Sequence, residues 1–317
     1  MASGFTDLTN TDLIRTQLWS RDLKSLLLDE LYAMRFVRPI TEFPDGELIN
    51  IPSIGEAEVS DFAEGNAIKY NKMDTGNFQF QWKDYKYSAN AVSEKFKQDS
   101  YYASDVIAAF VPRQHRALME AVEVDILKEG NEGQTASQLN TINGQPHRWV
   151  AQGTGNVLVA KDFSQARLSL FKANVPLNNL VCLLDATSAF HMETQTNLVN
   201  LMSPQPMWED VLKNGMVNGT KFRYNIMGFD CYVTNYLPTI SSETVDGTTV
   251  TNGVANQFFS AVSSDVAPYI GGFKQTPQVY SEFNKDLMQT EYLTIARYGF
   301  ALFRPENMIN VLSSTAV

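Results

Sequence analysis

The spacing of apolar residues along this 317-residue chain changes several times, and each change predicts a different element. Near the start, Thr11 and Asp12 can cap a helix through Leu13, Ile14, Leu18 and Trp19, and Leu23, Leu26, Leu27, Leu28 and Leu31 continue its apolar stripe. Pro39 and Pro44 stop it. Such a stripe must be buried, and no neighbouring segment is an obvious partner, which leaves a distant lobe and a second chain both open. Between residues 46 and 97 the period falls to two. Glu47 to Ile51 reads as a strand, Phe78-Gln79-Phe80-Gln81-Trp82 alternates strictly, and Tyr85 and Tyr87 extend it. The polar stretch from Glu56 to Gly76 makes the two strands a long hairpin with a wide tip. A lone hairpin is marginal in water, so its aromatic face is expected to lie on its own lobe or on another surface.

The strongest helical pattern runs from Ser100 to Glu129, with Ile107, Phe110, Val111, Leu118, Ala121, Val122 and Ile126 at steps of three and four. About 30 residues at 1.5 Å each span about 45 Å, enough for a strut. Pro112 is expected to kink it and Gly130 to close it. After a polar loop, Asn131 to Gly155, the pattern predicts a short strand at Val157–Ala160. A helix follows through Phe163, Ala166, Leu170 and Phe171, which Asp162 and Ser164 can cap and Pro176 bars from extending. Leu180 to Leu184 is a continuous apolar strand, expected to be buried on both faces. Next come a helix from Ala186 to Leu201, ended by Pro204 and Pro206, and a strand pair, Lys221–Met227 with Gly228–Val233, around a tight turn. Ile240 to Asn256 is rich in Ser, Thr and Gly and reads as a surface loop, and Phe258 to Val266 as a short apolar segment. Val279–Phe283 alternates, Asp286–Ala296 is mixed, Tyr298–Phe303 is strongly β, and Met308–Leu312 is a last strand.

Composition narrows the function classes. Hydrophobic residues are 44% and charged residues 19%, which fits a folded chain and not a disordered one. The length exceeds the usual single core, so two lobes, or one core with extended arms, are expected. The formal charge of −10 argues against a nucleic-acid reader with a basic footprint. It suits a wall that encloses DNA without binding its sequence, and it serves solubility equally well. Cys182 and Cys231 lie in apolar strand-like runs and read as buried free thiols in a reducing compartment. Neither a signal peptide nor a membrane-spanning run is expected.

A search for chemistry finds little. No phosphate loop, dinucleotide fingerprint or nucleophile elbow occurs, and Gly153-Thr154-Gly155 lacks the third glycine and the preceding strand. His115, His147 and His191 lie far apart, and His191-Met192-Glu193 is not accompanied by the cysteine pair of a zinc deaminase. No metal-ligand spacing appears. Glu120, Glu123 and Asp125 read as a solvated face or salt-bridge partners of the strut helix, and Trp82, Trp149 and Trp208 as packing residues. No catalytic, cofactor-binding or metal-binding residue is therefore nominated.

In their order the segments resemble the major capsid proteins of tailed bacteriophages. Three stretches carry the likeness: Phe96–Tyr101 leading into the helix that ends Asp125–Gly130, the run Met227–Pro238 with its Gly-Phe turn and Asn-Tyr-Leu-Pro ending, and the closing strand Tyr298–Glu306. The resemblance implies an α+β phage major capsid fold: an N-terminal arm (1–45), an extended β-hairpin loop (46–97), a peripheral domain with the long spine helix (98–174), an axial α/β domain (175–287) and a return to the peripheral sheet (288–317). It implies no enzyme and no cofactor, but a structural homo-oligomer. Hexamers and pentamers would form the icosahedral shell of a virion, assembled in the bacterial host cytoplasm around double-stranded DNA. Arm and hairpin would then find their burial sites on neighbouring subunits.

The arm helix begins close to Met1, so the expected partner in assembly is a separate scaffolding protein and not a fused one. A portal protein at one vertex is implied, and there is room for a decoration protein. Lys69 and Lys72 lie in the hairpin, but no carboxylate beside them marks a crosslinking catalyst, and no crosslink is expected. Two alternatives stand beside this reading. An encapsulin-type bacterial nanocompartment shell shares the fold, and a carbohydrate-active hydrolase would be a compact monomer with one pocket.

Overall fold

The computed structural model describes residues 31–40, 48–54, 61, 64, 75–100, 103–194 and 222–316. The expected arm helix, the hairpin tip with Lys69 and Lys72, Trp208 and the helix beyond Thr194 lie outside them.

The described chain starts with a 3-10 turn, Ala33–Phe36, and a short strand β1 (Val37–Pro39). β2 (Leu48–Ile54) and β3 (Thr75–Gln81) pair antiparallel, Leu48 opposite Gln81 and Ile54 opposite Thr75. β4 (Asp84–Ser93), α1 (Glu94–Asp99) and α2 (Ala103–Glu132) follow, then β5 (Arg148–Val150) and α3 (Ala160–Lys172). β6 (Leu180–Leu184), α4 (Ala186–Thr194), β7 (Phe222–Ile226), β8 (Phe229–Val233) and β9 (Thr239–Ile240) come next. β10 (Glu243–Val245), β11 (Thr248–Val250), β12 (Gly253–Ser260), β13 (Tyr269–Asn284), β14 (Gln289–Leu302) and β15 (Ile309–Ser314) complete it.

Two sheets organise these elements around α2. One has the order β5-β15-β12-β6-β8-β7, with β9 beside β12; the other has the order β1-β13-β14-β4. The central strands of the first sheet alternate between two cores. Cys182, Leu184, Cys231 and Phe258 face Phe163, Ala166 and Leu170 of α3, while Val181, Leu183 and Phe259 face Leu118, Val122, Ile126 and Leu127 of α2. The apolar run at Leu180–Leu184 is thus buried on both faces, as its continuity predicts. The same core takes in Ala296, Tyr298 and Phe300 of β14. One long helix therefore joins both sheets through a shared core, which its apolar periodicity serves.

Several sequence expectations need correcting. Gly130 does not close α2, which runs on to Glu132. A Cβ at Gly130 would sit 2.4 Å from the Tyr269 hydroxyl, so the residue is small because β13 crosses there. The break lies before the helix instead: Ser93 caps α1 through the Phe96 amide, and α1 ends at Asp99. Pro112 does lie inside α2. Val157–Ala160 forms no strand; the local strand is β5, parallel to β15. The stretch Ile240–Asn256 is not a plain surface loop. β10 and β11 form a small hairpin whose Val245 and Val250 bury with Ile240 in a core of their own. The mixed composition of Asp286–Ala296 hides a turn followed from Gln289 by a continuous strand, because ladder pairing with β13 and β4 supplies what local pattern lacks. Tyr85 and Tyr87 do not extend the β2–β3 hairpin but belong to β4, the edge of the second sheet.

The base of the β2–β3 hairpin has contacts within the chain. Ile49, Phe80 and Trp82 bury against Ile270, and Phe78 meets the Phe303 ring edge-on at 5.1 Å. The tight turn between β7 and β8 is as expected, with φ of +50° at Met227 and +90° at Gly228.

Candidate assembly surfaces and buried anchors

The residues singled out for chemistry are not brought together. His115 is exposed on α2. His147 is fully buried before β5, its Nδ1 3.2 Å from the Gln145 carbonyl. His191 sits on α4 with Nε2 2.9 Å from the Ala316 carbonyl. Among the described residues no three His, Cys, Asp or Glu side chains are grouped to hold a metal ion. No helix among them is long and apolar enough to cross a membrane. Gly153-Thr154-Gly155 forms a turn closed by the Gly153 amide on the Val157 carbonyl, and a Cβ at Gly153 would meet that carbonyl at 2.4 Å. Its glycine serves backbone packing. Cys182 and Cys231 are free, buried and opposite each other on parallel strands β6 and β8. Trp149 packs in the core and donates to Asp162 Oδ1 at 3.1 Å, as a packing residue should.

The carboxylates of α2 divide three ways. Glu120 accepts from Arg116 one turn back, at 3.0 Å. Asp125 accepts from Lys86 at 2.7 Å and from the Tyr298 hydroxyl at 2.5 Å, tying β4 and β14 to the helix. Lys83 pairs with Glu129 one helical turn further on. Burial, and after it the nearby Asp125 charge, pushes the Asp84 carboxyl above its usual range. Glu123 is the exception to the expected solvated face: it is 1% exposed and takes its hydrogen bonds from the Tyr32 and Ala33 amides.

A second buried charge ties the last turn of α2 to β5 and β10. Arg148 donates from Nε and Nη2 to the two oxygens of Glu243 at 2.8 and 2.7 Å, and from Nη1 to Asn131 Oδ1 at 2.8 Å. The Ser137 amide completes Glu243 at 2.7 Å. Burial alone would raise the Glu243 carboxyl, but these donors outweigh it and hold the group below its ordinary value. Sequence spacing offered no signal for this pair, whose members are 95 positions apart.

Part of the surface left for solvent or partners is apolar. The face of the second sheet away from α2 carries Tyr85 and Tyr87 of β4, 63% and 71% exposed. Register places Tyr87 beside Ile295 and Leu293 beside Tyr280, so one aromatic-aliphatic patch crosses three strands. Leu287 and Met288 at the turn of the β13–β14 hairpin are 64% and 60% exposed. On α3, Leu168 and Phe171 lie three residues apart on the outer side, and both are exposed. Contiguous exposed apolar patches mark interaction surfaces more than catalytic clefts.

No family model matches the sequence, and no curated protein matches it either. Solved structures do match. The capsid structure of the cyanophage P-SCSP1u superposes with a TM-score of 0.71 at 13% identity, covering 94% of this chain and 92% of that one. A structure of Mycobacterium phage Che8 gives 0.67 at 15% identity, over 97% and 98%. The capsid asymmetric unit of cyanophage Pam1 gives 0.66 at 11%, over 98% and 100%. Over nearly its whole length this chain has the fold of tailed-phage capsid subunits.

Proposed function

We propose that this chain is the major capsid protein of a tailed bacteriophage, self-assembling as hexamers and pentamers into the icosahedral shell around a double-stranded DNA genome. The observation that carries the reading is the near full-length likeness to capsid subunits, whose whole architecture, and not one module, is shared. Fold alone does not fix function. The exposed Tyr85 and Tyr87 support the same conclusion, because they form the kind of surface a shell subunit buries on its neighbours.

In this reading residues 1–45 are the arm and 46–97 the extended loop. Residues 98–174 form the peripheral domain with its spine helix, 175–287 the axial domain, and 288–317 the return to the peripheral sheet. A separate scaffolding protein guides assembly, a portal occupies one vertex, and a decoration protein has the outer surface open to it. The acidic chain encloses DNA without reading it.

The test is electron microscopy of the chain coexpressed with its scaffolding protein. Closed shells of uniform size are expected. A monodisperse compact monomer under the same conditions defeats the proposal. Shells from the native source that hold a cargo enzyme instead of DNA would move the assignment to a nanocompartment.

A further inference from the structure

The loop between α2 and β5 contains a two-residue hairpin turn. Ile142 and Gln145 exchange backbone hydrogen bonds at 2.9 and 3.0 Å around Asn143 and Gly144, whose φ angles are +48° and +76°. Asn-Gly is the pair such a turn favours. Three side-chain bonds pin this loop to α3. Gln165 Nε2 donates to Gln145 Oε1 at 3.1 Å, Ser169 Oγ to the Pro146 carbonyl at 2.8 Å, and Asn143 Nδ2 to the Lys172 carbonyl at 2.9 Å. Lys172 is the last residue of α3. Carbonyls at a helix end have no partner within the helix, and that end carries partial negative charge, so a donor there stabilises and an anion does not.

The same two residues are chemically fragile. A peptide nitrogen that follows asparagine can attack the side-chain carbonyl carbon, and glycine, with no Cβ, shields that nitrogen least. Four Asn-Gly pairs occur, at Asn143, Asn214, Asn218 and Asn252, and those at Asn214 and Asn218 lie outside the described residues. The fold separates the other two. Asn143 and Gly144 are exposed, and a Cβ built on Gly144 meets nothing within 4 Å. Ring closure takes Asn143 out of its left-handed conformation, against the two turn bonds and the bond to Lys172. Gly253, by contrast, is buried in β12 between Ile240 of β9 and Ser314 of β15, and the Thr315 amide donates to the Asn252 carbonyl at 3.2 Å. Freeing that pair means opening the sheet.

We propose that Asn143 is a site of spontaneous deamidation, and that the modification unpins its turn from the C-terminal end of α3. The Gly144 nitrogen bonds to Asn143 Cγ, the Cγ–Nδ2 bond breaks, and ammonia leaves with the proton of the Gly144 amide. Water then opens the succinimide at either of its carbonyls, giving aspartate or isoaspartate with no change of oxidation state. Both products lose the donor to the Lys172 carbonyl and set a carboxylate against the negative end of α3. The inference concerns the single chain and does not depend on the shell reading.

Peptide mass analysis of the full-length chain, aged in mildly alkaline buffer, tests the site. A gain of about 1 Da at Asn143 should accumulate about tenfold or more faster than at Asn252, and in urea the two rates should converge. Equal native rates, or a difference that persists in urea, overturn the assignment to the fold. The Asn143→Asp chain tests the consequence. It should melt about 2–4 °C below the fresh wild type and exchange its amides faster across 133–147, while β12 and β15 keep their protection. If that variant does not fold, aged wild type enriched in the product supplies the same two readouts. Unchanged melting and exchange mean that the turn stays pinned, and overturn the second half of the proposal.

Discussion

Removing Glu243 should expose how much of this molecule rests on one buried ion pair. The Glu243→Ala variant leaves the Arg148 guanidinium, 1% exposed, with Asn131 as its remaining acceptor, and strips the Ser137 amide of its partner. Breaking one side of a buried pair typically costs about 3–5 kcal/mol. Against a total of roughly 5–15 kcal/mol for a folded domain, that is a large share. Replacing both partners, as Arg148→Met with Glu243→Leu, removes the stranded charge and should cost less than the single change. The coupling between the two sites should then exceed about 2 kcal/mol. Urea unfolding of the unassembled chain, followed by tryptophan fluorescence, measures it, since Trp149 is next to Arg148. A single-variant cost below about 1 kcal/mol, or a double variant as unstable as the sum of the singles, refutes the account. Because Glu243 titrates below its ordinary value, its contribution is present above that value and lost as pH falls through the folded one.

Three further outcomes are expected. Burial lowers the His147 pKa, so the unfolded chain takes up a proton before the folded one does; stability should fall as pH drops below about 6.5. In His147→Leu that dependence should be absent between pH 7.5 and 5.5, a range that denaturation midpoints will cover. Gly130→Ala drives a methyl into the Tyr269 hydroxyl and Gln257, which hydrogen-bond each other at 2.6 Å, and should cost about 1–3 kcal/mol, read as a lowered melting temperature. Tyr85→Ser with Tyr87→Ser touches an exposed face and should leave subunit stability within about 0.5 kcal/mol while abolishing particles in sedimentation. Normal particle yield from that variant removes the patch from the assembly surfaces.

The sequence by itself determined the elements whose information is local. The strut helix, the doubly buried strand Leu180–Leu184 and the Met227-Gly228 turn each rest on periodicity or on a residue with special backbone freedom. Their order was enough to suggest the fold. Tertiary structure alone decided which residue served which contact. Gly130 looks like a helix end but is small because a strand crosses it. Glu123 looks solvent-facing on a charged helix segment, yet it caps a turn 90 positions earlier. The Ser/Thr/Gly-rich stretch at 240–256 became strands because three of its apolar residues, Ile240, Val245 and Val250, found a shared core with Leu312. In every case the deciding partner lies far away along the chain. Short-range spacing carries helix and turn information, whereas the burial of a charge or the pairing of a strand is fixed only when distant segments meet.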